Sequence, residues 1–320
     1  MSDAVVPQKA EPGARQSVGW LTRMIESDLF YSFRRSRLTM VAAAVTLLFF
    51  LLAIFASLIA VQDPFDPAQL QLMNSRIAPL WMADGQSPFL LGTDEQGRDV
   101  LSAILYGLRI SLIVGVLGVA FSGALGILLG LVAGYIGGAV DSLIMRIADV
   151  QLTFPAILIA LLINGIAKSV FGNRLDAISM LAVLVFAIGL SFWVQYARTV
   201  RGSVLVEKNK DYVAAAQLIG LPAPVIMLRH VLPNTMGPIM VIATINLALA
   251  IITEATLSFL GSGMPDTMPS LGTLIRIGNN YLFSGEWWII AFPGIALAAL
   301  ILSINLLGDW LRDALNPKLR

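Results

Sequence analysis

Apolar residues in this chain gather into six long blocks, unlike the two-residue alternation of a half-buried strand or the narrow stripe of a surface helix. The blocks cover about 40–61, 110–136, 150–166, 178–196, 236–260 and 287–307. A helix needs roughly 17–25 predominantly apolar residues to cross a bilayer core. The pattern therefore predicts an all-α, polytopic membrane protein of about six transmembrane helices. The first block starts too far along and runs too long for a secretory signal, so it is expected to remain in the mature protein. Pro155 falls in the first turns of the third block and is expected to kink or reset that helix. Trp287 and Trp288 open the sixth block, where indole rings favour the membrane interface.

The polar stretches between the blocks supply the topology. Residues 1–19, with Pro7, Pro12 and Gly13, read as a disordered tail. From Trp20 to Arg37, Leu21, Met24, Ile25, Leu29 and Phe33 share one side of a helix expected to lie on the membrane surface, so that 1–39 forms a tail plus interfacial helix. The membrane-embedded core is then 40–307, with long polar segments at 62–109 and 197–234 and a tail at 308–320. With residue 1 inside, the cytoplasmic segments hold 15 of the 21 Lys and Arg residues, and the inverted topology would reverse that ratio. Both termini and 197–234 are accordingly expected in the cytoplasm.

Composition agrees with a bilayer solvent: 57% of residues are hydrophobic and 13% charged, too few charges to clothe a water-soluble globule of 320 residues. A net charge of +1 gives no field to attract nucleic acid. With no cysteine, disulfides and thiolate metal sites are excluded.

The most informative polar segment is KNKDYVAAAQLIGLPAPVIMLRHVLPN, 208–234. Asn209 or Asp211 can cap a short helix that runs through Ala214, Ala215 and Ala216 to Ile219, and Gly220 can then supply a left-handed turn. Pro222 can open a second helix that Pro233 ends. Tyr212, Ala215 or Ala216, and Ile219 fall on one stripe, and the small alanines would let the helix sit deep in a groove on another protein. Pattern alone leaves this open between a docking element and a stable hairpin with no partner.

The spacing of Ala215, Ala216, Gly220, Leu232 and Pro233 resembles the cytoplasmic-loop motif of inner-membrane permeases in binding-protein-dependent ATP-driven importers. Two positions depart from that motif: Ala214 stands in place of Glu, and His230 in place of Ile. LLGTDEQGRDVLSAILYGLRISL (90–112), GYIGGAVDSLIMRIADV (134–150), LSFLGSG (257–263) and LLGDWLRDALNPKLR (306–320) look like the dipeptide, oligopeptide and nickel branch of the family. The resemblance implies a bacterial inner-membrane location, a second similar permease, two ATPase subunits carrying ATP and Mg, and an extracytoplasmic solute receptor, all embedded in or beside membrane lipid. It also implies that 211–220 couples the ATPases to alternating access, and that Thr93, Asp94, Arg98 and Asp99 belong to an outer gate region. Thr93 or Asp94 is expected to cap a short helix from Gln96 to Tyr106 that stops at Gly107.

Other polar residues admit two uses each. Glu254, a carboxylate inside a span, either lines the translocation path or is a hydrogen-bonded structural group, and Asn164 and Asn246 carry the same alternatives. Asp141, Arg146 and Asp149 can pair at helical spacing, and Gly115, Gly118, Gly126 and Gly130 read as a helix-packing face. No Gly-x-x-x-x-Gly-Lys-Ser/Thr loop is present, so ATP would have to act on another chain and no enzyme activity is expected here. The single histidine, His230, lies away from every apolar block, which leaves a Ser-His intramembrane protease without its base. An ion-coupled secondary transporter is the rival reading, and it would need a coupling site beyond Glu254.

Overall fold

The structure, a computed structural model, describes residues 28–172 and 176–315. The expected tail at 1–19, the first part of the surface helix and the last five residues lie outside the described residues. Ten helices carry the architecture: α1 (Asp28–Arg35), α2 (Arg37–Ile54), α3 (Val100–Ile136), α4 (Gly138–Leu152), α5 (Ala156–Phe171), α6 (Ala177–Glu207), α7 (Asp211–Leu218), α8 (Met236–Phe259), α9 (Leu271–Asn279) and α10 (Trp288–Ala314). No β-strand occurs among the described residues beyond two isolated bridges, Ala78 with Gly85 and Thr93 with Asp99.

α2, α3, α6, α8 and α10 are each long and apolar enough to cross a bilayer, and α4 with α5 makes a sixth candidate bent by 91°. That bend has a local cause. Pro155 has no N–H for the turn before it and sits immediately ahead of α5 with extended ψ, so the expected reset happens between two helices and not inside one. Gly137 and Gly138, both at positive φ, turn the chain from α3 into α4.

Four expectations need correction. No separate helix runs from Gln96 to Tyr106. Asp99, not Thr93 or Asp94, caps a single 37-residue helix that passes straight through Gly107. A Cβ at Gly107 would lie 3.2 Å from the Leu271 backbone nitrogen, so the residue is small because α9 packs against it and not because the helix stops there. α6 runs on to Glu207, so the polar loop begins at Lys208 and not at Ala197. Pro233 does not end a helix either: the wide turn Ile226–Val231 and the tight turn Leu232–Thr235 absorb its missing donor, and the chain continues into α8. Finally, Asp141 and Asp149 do not pair with Arg146 on their own helix. They reach across to Arg201 and Arg198 of α6, Asp141 meeting its guanidinium through both carboxylate oxygens.

Helix association in lipid gains nothing from hiding apolar surface and depends on close packing. Here α3 and α6 meet along Gly126, Gly130 and Gly134, spaced four apart on one face of α3. A Cβ added at Gly126 would sit 2.4 Å from the Trp193 carbonyl oxygen, and one at Gly130 2.6 Å from that of Ala197. Gly115 similarly admits Ile251 of α8, and Gly118 admits Ile188 of α6. The remaining elements pack around this pair: α2, α9 and α10 against the first half of α3, and α5 against α6.

Gly126→Val should force the two backbones apart and cost about 2 kcal/mol or more. Gly165→Ala meets nothing within 4 Å and should be neutral or gain about 0.5–1 kcal/mol. Thermal unfolding of both variants in mild detergent reads the contrast, and equal midpoints would sink the packing assignment.

Candidate functional site

Two polar assemblies stand at opposite ends of the α3–α6–α8 core. One is the helical hairpin from Lys208 to Thr235. Neither Asn209 nor Asp211 caps α7. The cap position is Lys210, which makes no side-chain cap bond, and Asn209 instead donates to the Leu205 carbonyl at 2.9 Å. The other end of α7 closes as expected: Gly220 has φ +83°, its N–H reaches the Gln217 carbonyl at 2.9 Å, and the Leu221 N–H reaches Ala216 at 3.1 Å.

One face of α7 is buried. Val213 and Ala216 pack with Ile226 and Val231 of the returning arm, Val200 and Val204 of α6, and Leu131 of α3. Polar bonds fasten the same face. The Tyr212 hydroxyl donates to Glu207 at 2.6 Å, Lys210 donates to the other Glu207 oxygen at 2.7 Å, and Lys208 Nζ donates to the Gly134 carbonyl at 2.8 Å. Burial and the Glu207 carboxylate together push the Tyr212 phenol up to about 12, so it stays a donor throughout the physiological range.

The opposite face is bare. Asp211, Ala214, Ala215, Gly220 and Ile219 are exposed, Ile219 at 78%, and beside them Leu218 stands 89% exposed. Of the expected contact residues, Tyr212 and Ala216 therefore turn inward as fastenings. Leu218 was missed, although its place four residues after Ala214 puts it on the same stripe. The surface so presented is short, with Asp211 at its start and the apolar tip Leu218–Ile219 at its end, and it is packed against α3, α6 and α8.

The second assembly surrounds Glu254. This side chain is wholly buried in α8, and both oxygens are used: Ser111 of α3 donates to one at 2.8 Å and Ser258 to the other at 2.7 Å. Ser111 also accepts the Leu271 N–H at the start of α9, and Ser258 accepts the Met264 N–H of the intervening loop. Glu254 thus ties three helices and a loop together.

Thr93, Asp94, Arg98 and Asp99 form a neighbouring knot, all of them buried. Asp94 and Arg98 make an ion pair at 2.6 Å, and Arg98 extends to the Asp266 carbonyl at 3.0 Å. Asp99 accepts from the Ser102 N–H at 2.8 Å, while Trp288 donates to the Thr93 carbonyl at 3.1 Å. These bonds pin the 62–99 segment onto the ends of α3 and α10. Asn164 in α5 and Asn246 in α8 are also fully buried, the latter beside the Tyr196 hydroxyl. The described subunit gives solute no access to Glu254, Asn246 or Asn164. Among the described residues no cluster of His, Cys, Asp and Glu could hold a metal ion.

The model of the binding-protein-dependent transport system inner membrane component matches residues 126–320, more than half of the chain. This chain belongs to that family. As a permease of a binding-protein-dependent importer it also matches, over residues 27–79, the N-terminal transmembrane domain of oligopeptide transport permease C. Two relatives are the di/tripeptide permease DppC of Pseudomonas aeruginosa, 39% identical over 86% of this chain and 87% of its own length, and the dipeptide permease DppC of Escherichia coli K12, 39% identical over 92% and 93%. A third is the oligopeptide permease OppC of Bacillus subtilis, 32% identical over 98% of this chain and 96% of its own. Among solved structures, the inward-facing methionine transporter MetNI aligns with a TM-score of 0.49 at 18% identity, covering 67% of this chain and 94% of that one.

Glu254→Ala would strip two buried serines of their acceptor, at an expected cost of about 2–4 kcal/mol. Thermal stability of the purified permease should fall, and solute uptake should fall only in proportion to folded protein. Intact stability with lost uptake would return Glu254 to the translocation path.

Proposed function

We propose that this permease forms half of a translocation path for di- or oligopeptides, beside a second similar permease, and that its hairpin docks on the ATPase side of a complex with two ATPase subunits in the cytoplasm. ATP binding would draw the ATPases together, α7 would follow them, and the path would exchange inward-open for outward-open. A receptor outside would deliver the solute. The observation that carries this reading is the bare apolar end of α7, fixed through Val213, Ala216, Tyr212 and Lys208 to the ends of α3, α6 and α8. A knob held that firmly moves the spans when it is moved. Peptides as the solute class are supported by the dipeptide and oligopeptide permeases that align along nearly the whole chain.

The distribution of Lys and Arg supports an inward-facing hairpin with both termini inside. With Ala214 where the motif carries Glu, the docking surface offers Leu218 and Ile219 in place of a carboxylate. Attachment to the ATPase then includes apolar insertion of Leu218 and Ile219 beside the exposed Asp211 carboxylate.

Purification from the native membrane at natural abundance should recover ATPases, a second permease and a receptor, identified by mass spectrometry. Recovery of this chain alone, with uptake preserved, would overturn the ATP-coupled reading in favour of an ion-coupled transporter. Leu218→Asp should release the ATPases and abolish uptake while leaving the permease folded, since the side chain touches solvent over 89% of its surface. Gly220→Val meets open space but forces a β-branched residue to φ +83°, a strain of about 1–3 kcal/mol. It should lower the solute moved per ATP hydrolysed, and unchanged stoichiometry would remove Gly220 from the coupling path.

A further inference from the structure

Arg109 is a cation within the apolar surface of α3, and neither assembly described above uses it. Its guanidinium caps the end of α2: Nε donates to the Ala53 carbonyl at 2.8 Å and Nη2 to Ile54 at 3.1 Å, while Cζ lies 5.2 Å from the centre of the Tyr106 ring. Nη1 makes no hydrogen bond, and Arg109 stands among the residues that line a groove of about 450 Å³ between α2 and α3, whose lining surface is almost wholly apolar. All the other walls are apolar, including Phe50, Leu112, Ile113, Val116 and Leu117.

The direction of this groove is informative. α2 ends where Arg109 stands, and α3 runs antiparallel to it, so Leu112, Ile113, Val116 and Leu117 descend from Arg109 toward the middle of the bilayer. Eight residues from Arg109 to Leu117 span about 12 Å at 1.5 Å per residue. The cation thus sits at the interface level and the apolar trough below it, which is the polarity of a phospholipid: an anionic phosphate above and an acyl chain beneath.

We propose that the α2–α3 groove holds one phospholipid of the adjoining leaflet, its phosphate on the open edge of Arg109 and an acyl chain along Ile113, Val116 and Leu117. A guanidinium in this position recognises phosphate through paired N–H donors. The bilayer offers the complementary amphiphile at high local concentration. The lipid would complete the contact between α2 and α3, which elsewhere lack the glycine seam that joins α3 to α6.

The test compares phosphatidylglycerol with diacylglycerol bearing the same chains but no phosphate, each added to the delipidated permease and read by native mass spectrometry. The wild-type chain should retain phosphatidylglycerol about tenfold better, the scale of one charge-assisted hydrogen bond. Arg109→Gln should abolish the preference, and Val116→Trp should fill the trough and exclude both lipids without touching the bonds of Arg109. A photoreactive residue at Ile113 should label lipid. No preference in the wild-type chain, retention by both variants, or labelling of a protein partner at Ile113 would each overturn the proposal.

Discussion

The close approach of α3 to α6 is the contact on which the rest of the molecule depends. In lipid there is no apolar surface to hide, so two helices stay together only if their backbones come near enough for dense van der Waals contact. Gly126, Gly130 and Gly134 permit this by leaving no Cβ in the way. Every other element takes its position from that pair. α8 and α9 lie against α3 through Gly115 and Gly107, α5 lies against α6, and the hairpin hangs from the ends of both through Lys208 and Tyr212. On the proposed coupling, movement of the hairpin would therefore not remain local.

Polar groups placed among these spans serve as fastenings. Glu254 joins α3, α8 and α9 through two serines, the Asp94–Arg98 pair fixes the 62–99 segment, and Asp141 and Asp149 hold α4 to α6 across the bend at Pro155. Removing one partner from the buried sets at Glu254 or Asp94–Arg98 leaves the other desolvated and unsatisfied, which costs more than the pair contributes when intact, whereas the exposed Asp149–Arg198 pair contributes little.

Much of this was legible from residue order. Apolar blocks located the spans, because length and lack of charge suffice for that, and the alanine run with Gly220 located the hairpin and its left-handed turn. What escaped were features set by neighbours distant in sequence. Gly107 has the local look of a helix stop, yet it is small because α9 crosses there. Pro233 has the look of a terminator, yet two irregular turns carry the helix past it. Arg146 stands at the right spacing for Asp149, but Arg198 of another helix takes that carboxylate. Glu254 could not be assigned from order alone, since its meaning depends on Ser111, 143 residues away in sequence.

Loss of the motif carboxylate at position 214 also becomes intelligible once the hairpin is seen whole. A coupling element needs two properties: a grip on its partner and a stiff link to the helices it moves. Here the link is supplied by Val213 and Ala216 on the buried side and by Glu207, which accepts from both Tyr212 and Lys210 at the junction of α6 and α7. The exposed side is then free to be apolar, and Leu218 and Ile219 at the end of α7 give it a protruding tip. Charge at position 214 would add orientation to such a contact but little strength in water-exposed surroundings. On the proposed docking, shape held in place by the buried face would be enough to transmit force.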